Sequence, residues 1–448
     1  MDNKELRQFG SYLDRTCDGV TRRQMLKVGT LGFLGLGLPQ FLALEAEAQT
    51  QAKKTGVKPK SKSDVSVIML WMGGGPSHVD TFDPKPKAGT DVMGPFNPLE
   101  TNVPGIFIGE HLPKLSRMMD KMAIIRSITH GDGSHERAQH YMQTGYLPLP
   151  TVEFPSYGAV MAHEKGMQNN LPPFVTMLGS AAAGQGAGFL GGSFNPFYAG
   201  NPADGNYKVQ DLTLPSGVTV ARLDRRRRLI GAVDGLKDAK SDAVKSMDTF
   251  FDRAYGLVTS KESQQAFEIG KESEKLRDEY GRNGFGQSCL MARRLVQAGV
   301  RFVTITMGGW DTHSNVFDSM KNGLLPELDR GFSALLNDLK QQGMLDTTMV
   351  VWMGEFGRTP VVNKDMGRDH WPNAQSVVVA GGGVKGGQVI GSTDERAMGP
   401  ADRPLHVEDF AASLYRAVGL NPDKEYITPS GRPIKLANEG TMIRELFG

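Results

Sequence analysis

Cysteine is almost missing from this chain. Cys17 and Cys289 are the only two in 448 residues, and neither belongs to a CxxC pair, which excludes a disulfide framework. Charge of one sign is missing too. Lys and Arg total 51 against 49 Asp and Glu, a formal net charge of +2, so there is no electrostatic footprint for nucleic acid and no acidic or basic tail. No strand-linked GxGxxG with a following acidic partner appears, which sets nucleotide-cofactor chemistry aside. Gly381-Gly382-Gly383 and Gly386-Gly387 instead flank a turn, expected within a late β-hairpin. No internal repeat or heptad is present. What is abundant is glycine, 55 residues, about 12% where ~7% is usual. With no collagen-like period, that excess points to tight turns and close backbone approaches. A hydrophobic fraction of 39% beside 22% charge allows a sizeable buried core.

The first residues read as an address. Thr21-Arg22-Arg23-Gln24-Met25-Leu26-Lys27 opens an apolar stretch from Val28 to Leu44, and Ala46-Glu47-Ala48 gives a small-x-small cleavage pattern. Paired arginines before a short, glycine-diluted apolar run resemble a twin-arginine export signal. Four glycines and Pro39 interrupt the run, whereas a spanning helix needs ~20 strongly apolar residues. The expectation is a signal over residues 1–48, a flexible Lys/Ser/Gln-rich leader over 49–64, and a mature domain over 65–448. The mature form would be periplasmic or extracellular, delivered by the twin-arginine machinery, without a stable membrane span. Cys289 would be its only cysteine.

Val65–Met72 is apolar on both faces and stops at Gly73-Gly74-Gly75-Pro76, as a buried parallel strand does. Similar runs recur at Met122–Ile125, Pro173–Leu178, Arg301–Met307, Thr348–Met353 and Ser376–Ala380. Between them, Ser156–Lys165, Gly286–Ala298 and Met320–Gln342 carry apolar residues at helical spacing. This alternation predicts an α/β domain with a mostly parallel sheet, whose active residues gather at the carboxyl ends of its strands. Two stretches break it. Residues 179–205 are rich in Gly, Ala and Asn and predict a long irregular loop. Residues about 219–285 are charged and helical, and predict an insertion capping the sheet.

His, Asp and Glu fall beside those strand exits. After the first strand come His78 and Asp80; after Met307 come Asp311 and His313; after Met353 come Glu355 and Arg358; further on stand Asp369 and His370. Such oxygen and imidazole donors suit zinc, manganese, magnesium or calcium. Any single Asp-x-His turn could be backbone capping; four strand-exit loops with a carboxylate, three of them adding an imidazole, leave one sheet edge and predict a shared metal site. A fifth segment, Thr129-His130-Gly131-Asp132-Gly133-Ser134-His135-Glu136-Arg137 followed by His140, leaves a strand and enters a helix. A helix amino terminus there favours an oxyanion.

The set GGGPSHVDTFDPKP, THGDGSHERAQHYMQTGY, GGWDTHS, GEFGRTP and GRDHWP, spanning Val65 to Leu446, resembles the DUF1501 family of exported bacterial proteins, which is grouped with the alkaline phosphatase/sulfatase superfamily. The resemblance implies an alkaline-phosphatase-like three-layer α/β sandwich and metal-dependent hydrolysis of phosphate or sulfate esters, small-molecule or polysaccharide. Glu355-Phe356 stands where a sulfatase has Asp-His. No cysteine occupies the nucleophile region, which excludes formylglycine chemistry and leaves Ser134, Thr129 or a metal-bound hydroxide. The expected metal ligands are His78, Asp80, Asp311, His313, Glu355, Asp369 and His370. The expected catalytic residues are Ser134, His135 as general acid, and Arg137; Arg358, His130 and His140 would bind substrate. The alternative is a non-catalytic binding or assembly module on a degenerate sulfatase-like scaffold.

Overall fold

The computed structural model describes residues 64–179, 184–209, 219, 221–225, 228 and 255–448. The expected signal and all of the leader but Asp64 lie outside these residues, as does much of the expected insertion. Among the described residues, no helix is long and apolar enough to cross a membrane.

Eight strands form one sheet: β1 Ser66–Met72, β2 Met122–Ile128, β3 Phe174–Met177, β4 Phe197–Tyr198, β5 Phe302–Met307, β6 Thr348–Met353, β7 Gln375–Gly381 and β8 Gln388–Ile390. Their order is β8-β2-β7-β6-β1-β5-β3-β4. All six apolar runs are strands in it. β1 is central, parallel to both β5 and β6. Its residues alternate between two cores: Ile68, Leu70 and Met72 face one, and Val67, Met69 and Trp71 the other. A strand buried on both faces must be apolar at every position, which is why VSVIMLWM shows no period-two pattern.

Helices cover both faces and make three layers. On one side lie α3 (Gly284–Ala298) and α4 (Leu325–Gln341), where Leu328, Phe332, Leu335, Leu336 and Leu339 form a helical stripe into the core. On the other lie α1 (His135–Thr144), α2 (Tyr157–Lys165) and α5 (Val407–Ala417), through Met142, Val160, Phe410 and Leu414. Ser156 caps α2 by accepting from the Ala159 N–H at 3.2 Å.

Two expectations need correcting. β7 and β8 are not a hairpin. β7 is antiparallel to both β6 and β2, and β8 pairs instead with the far side of β2. The glycine turn therefore carries the chain past β2 rather than back along β7. The 179–205 stretch is not wholly irregular either, because Phe197–Tyr198 adds edge strand β4 to β3. Of the expected insertion, the described part is short helices, Lys261–Ala266 and Glu274–Tyr280.

Register levels the strand ends. Met72 sits opposite Met307 and Trp71 opposite Met353, so the loops opening at Gly73, Gly308 and Gly354 leave one edge together. Because β7 is reversed, its entry rather than its exit lies at that edge, where Gln375 pairs with Ile128 at the end of β2.

Candidate metal centre

Four loops converge at this edge. The short antiparallel ribbon of Gly357–Arg358 and His370–Trp371 sets His370 opposite Arg358. Gly74 makes close approach possible. Its φ is +115°, and a Cβ there would lie 2.3 Å from the Asp311 backbone nitrogen, so only glycine lets the first loop rest against the Asp311 loop.

Asp311 is the centre. His313 Nε2 lies 3.0 Å and His370 Nε2 3.2 Å from its Oδ1, and His135 Nε2 lies 3.4 Å from its Oδ2. One ligand atom each from His135, Asp311 and His370 falls within 4.8 Å of the others. His313 Nε2 is 3.1 Å from His370 Nε2. The side chains of Asp311 and His313 are 46% and 47% exposed, so the centre opens to solvent and to a ligand.

The outward nitrogens follow from the inward ones. Nδ1 of His135 faces Glu355 Oε1 at 2.8 Å, Nδ1 of His313 faces Asp369 Oδ1 at 2.6 Å, and Nδ1 of His370 faces the Gly133 carbonyl at 2.8 Å. Carboxylate and carbonyl oxygens only accept, so each Nδ1 carries the hydrogen and each neutral ring presents a bare Nε2. Two bare nitrogens 3.1 Å apart beside a carboxylate repel one another unless a cation lies among them. His135 Nε2 is also buried without a hydrogen-bond partner. A histidine whose rear nitrogen is held by an acceptor is the usual arrangement behind a metal. The residues present fit a divalent ion.

Charge is tuned around this point. Burial pushes the Asp311 carboxyl up, but the Arg358 guanidinium at 2.5 Å holds it down, at about 2. The hydrogen bond from His135 to Glu355 raises that imidazole, against the effect of burial.

The structure brings Asp311, His313, His370 and His135 together. It places Glu355 and Asp369 behind them, as orienting carboxylates. Glu355 is fully buried and also accepts from the Gly74 N–H at 2.8 Å and from Gln139 Nε2 at 3.4 Å. His78 and Asp80 are not brought in. Asp80 holds Arg368 at 2.7 and 3.0 Å with both side chains fully buried, and His78 Nε2 bonds the Ala397 carbonyl at 3.0 Å. Arg358 is buried and donates to the carbonyls of Gly74, Gly75 and Arg368 besides Asp311, so it braces the centre rather than offering a free fork. Arg137 pairs with Asp132 at 2.6 Å. His130 bonds the Glu355 carbonyl at 2.8 Å, and His140 the Tyr146 carbonyl at 3.0 Å. Ser134 is exposed at the N-cap of α1 and makes no side-chain capping bond.

Sequence reasoning missed Gln139 and Phe356. Gln139 follows His135 by four positions, one helical turn, a spacing that could have shown both facing Glu355. The Phe356 ring lies 5.1 Å from His135 and 4.6 Å from His370 between centroids, and nothing local signalled it.

A family model described as "Protein of unknown function (DUF1501)" matches residues 64–447. The chain belongs to the DUF1501 family. No curated protein matches it. Among solved structures, this DUF1501 chain is similar to Ps i-CgsB, with a TM-score of 0.42 and 13% identity over 86% of this chain and 76% of that one. It is similar to the PsFucS1 sulfatase from Pseudoalteromonas sp., with a TM-score of 0.37 and 12% identity over 86% and 72%. It is also similar to the phosphonate monoester hydrolase of Agrobacterium radiobacter, with a TM-score of 0.35 and 11% identity over 86% and 77%.

Replacing Glu355 with glutamine keeps the volume but removes the charge that holds the His135 Nδ1 hydrogen. Metal affinity is expected to fall roughly 10–100-fold with little change in melting temperature. Competition against a chromophoric chelator measures the first, and calorimetry the second.

Proposed function

We propose that this DUF1501 protein is an exported, metal-dependent hydrolase of phosphate or sulfate esters. The supporting observation is the set of three imidazole Nε2 atoms aimed at one carboxylate, each with its Nδ1 anchored. Asp311, His135, His313 and His370 would hold the ion. Imidazole-rich donors favour zinc over calcium, magnesium and manganese, which prefer oxygen. Once bound, the ion would offset the ester's negative charge and act as a Lewis acid.

The chain's own groups supply the rest. Ser134 carries a free hydroxyl at the start of α1, whose unpaired first-turn N–H groups and dipole favour an ester oxyanion. Its oxygen would attack the phosphorus or sulfur as the alcohol leaves, and water would then release the acid. Arg358 keeps Asp311 ionised and fixed, and Glu355 fixes His135.

The commitment of Arg358 to backbone carbonyls and of Arg137 to Asp132 favours a second reading, a binding module without turnover. A screen of aryl phosphate, phosphodiester and aryl sulfate with added zinc or manganese separates the two. Ser134→Ala is expected to lower hydrolysis about 10²-fold or more while leaving metal content unchanged. Metal-loaded protein that cleaves none of the three leaves the binding reading.

A further inference from the structure

Beside the metal centre lies a chamber of about 530 Å³, within the size range of small-ligand pockets. It opens at the same sheet edge, between the ends of β3 and β5, the start of α3 and the helix that becomes α4. Gly308 and Gly309 line it, and Asp311 follows two residues later, at most about 7 Å of extended chain.

One charged group faces the chamber. Among the described residues, Glu327 lines it, no Lys, Arg or His does, and Glu327 has no hydrogen bond or ion pair. Burial pushes its carboxyl up, with no neighbouring charge to oppose the shift. An acid early in a helix is commonly explained by the helix dipole. That explanation fails here. α4 continues without a break from Val316–Ser319 through a π-helical turn at Met320–Leu324, and Leu324 and Leu325 both have helical backbone angles. Glu327 therefore stands inside a continuous helix with no free N–H groups beside it. π-turns of this kind recur at functional sites. This one brings Ser319, Leu324 and Glu327 to the same wall, and Gly323 leaves space open there. The remaining surface is partly apolar, with half-exposed Leu178 and Leu324 backed by Phe285.

We propose that this chamber receives an organic cation, an alkylammonium group, with Glu327 as its counter-ion and Leu178 and Leu324 against its carbon. Resting on the ester-hydrolase reading, the substrate would be zwitterionic: its ester anion at the metal centre, its ammonium in the chamber. A carboxylate with no protein cation selects positive charge, and the apolar wall selects a substituted ammonium over a bare metal ion.

The test uses choline, which cannot ligate a metal, and its neutral tert-butyl carbon isostere. Equilibrium binding of both to the full chain is measured as purified and again after chelation. Choline is expected to bind about tenfold tighter than the isostere, with or without metal, and Glu327→Gln is expected to erase that preference at unchanged melting temperature. Equal binding of the two probes to the wild type, or a preference that survives Glu327→Gln, overturns the proposal. Should the variant fail to fold, the wild-type comparison decides alone. A choline preference without ester cleavage keeps the chamber and removes the hydrolase reading; cleavage without the preference does the reverse.

Discussion

Asp311→Ala is expected to abolish tight binding of zinc and to lower ester hydrolysis on the order of a thousandfold. Its carboxylate is the one group that all three Nε2 atoms approach, at 3.0, 3.2 and 3.4 Å. Without it, three neutral imidazoles would face a cation with no anionic donor. The fold should survive, because Arg358 keeps its bonds to three backbone carbonyls. Metal content by elemental analysis, far-ultraviolet circular dichroism and turnover are measured on the same preparation. Retained metal would remove Asp311 from the centre, and unchanged turnover would point to a contaminant. Acid should mimic the mutation. A protonated imidazole cannot ligate, so binding weakens as pH falls; because Glu355 raises His135, proton competition begins at a higher pH than for a free imidazole.

Arg368→Met is expected to cost about 3–5 kcal/mol of stability, the largest single-site loss anticipated away from the metal centre. It would strand the Asp80 carboxylate, whose side chain is fully buried. It would also withdraw donors from the carbonyls of Thr359, Pro360 and Val92. Asp80→Leu alone should also destabilise, by leaving the guanidinium unpaired. The double variant should be more stable than the two single losses predict when added, since neither lone charge then remains. Urea midpoints for the four proteins close the cycle. Strict additivity would mean that the pair is not coupled.

The scaffold is legible because burial on two faces writes continuous apolar runs, and all six runs are strands. The hairpin expectation failed for a topological reason. Two short runs joined by glycines read as neighbours, but β2, some 250 positions earlier in the chain, lies between them. The site is less legible because composition does not say which carboxylate is itself buried. Asp80 and Asp311 each stand in a turn after a strand. Each is met by a buried arginine, but only the fold seals Asp80 in with Arg368, 288 positions away, and leaves Asp311, beside Arg358, facing solvent. His135 read as a general acid. Its anchor, Glu355, lies on another strand exit. That both residues are site candidates could be read locally; that one holds the other could not.

Glu355 and His135 stand 220 positions apart and Gly133 and His370 237, while Asp369 and His313 are 56 apart. No fragment short enough to close early in folding contains a complete ligand set, since long-range contacts form late. An ion held there would therefore be a cargo of the finished fold and not its template. Stability in the absence of metal rests on the sheet and its two cores. An apo-protein of this design should persist, loading and unloading its ion as a reversible equilibrium of the folded state.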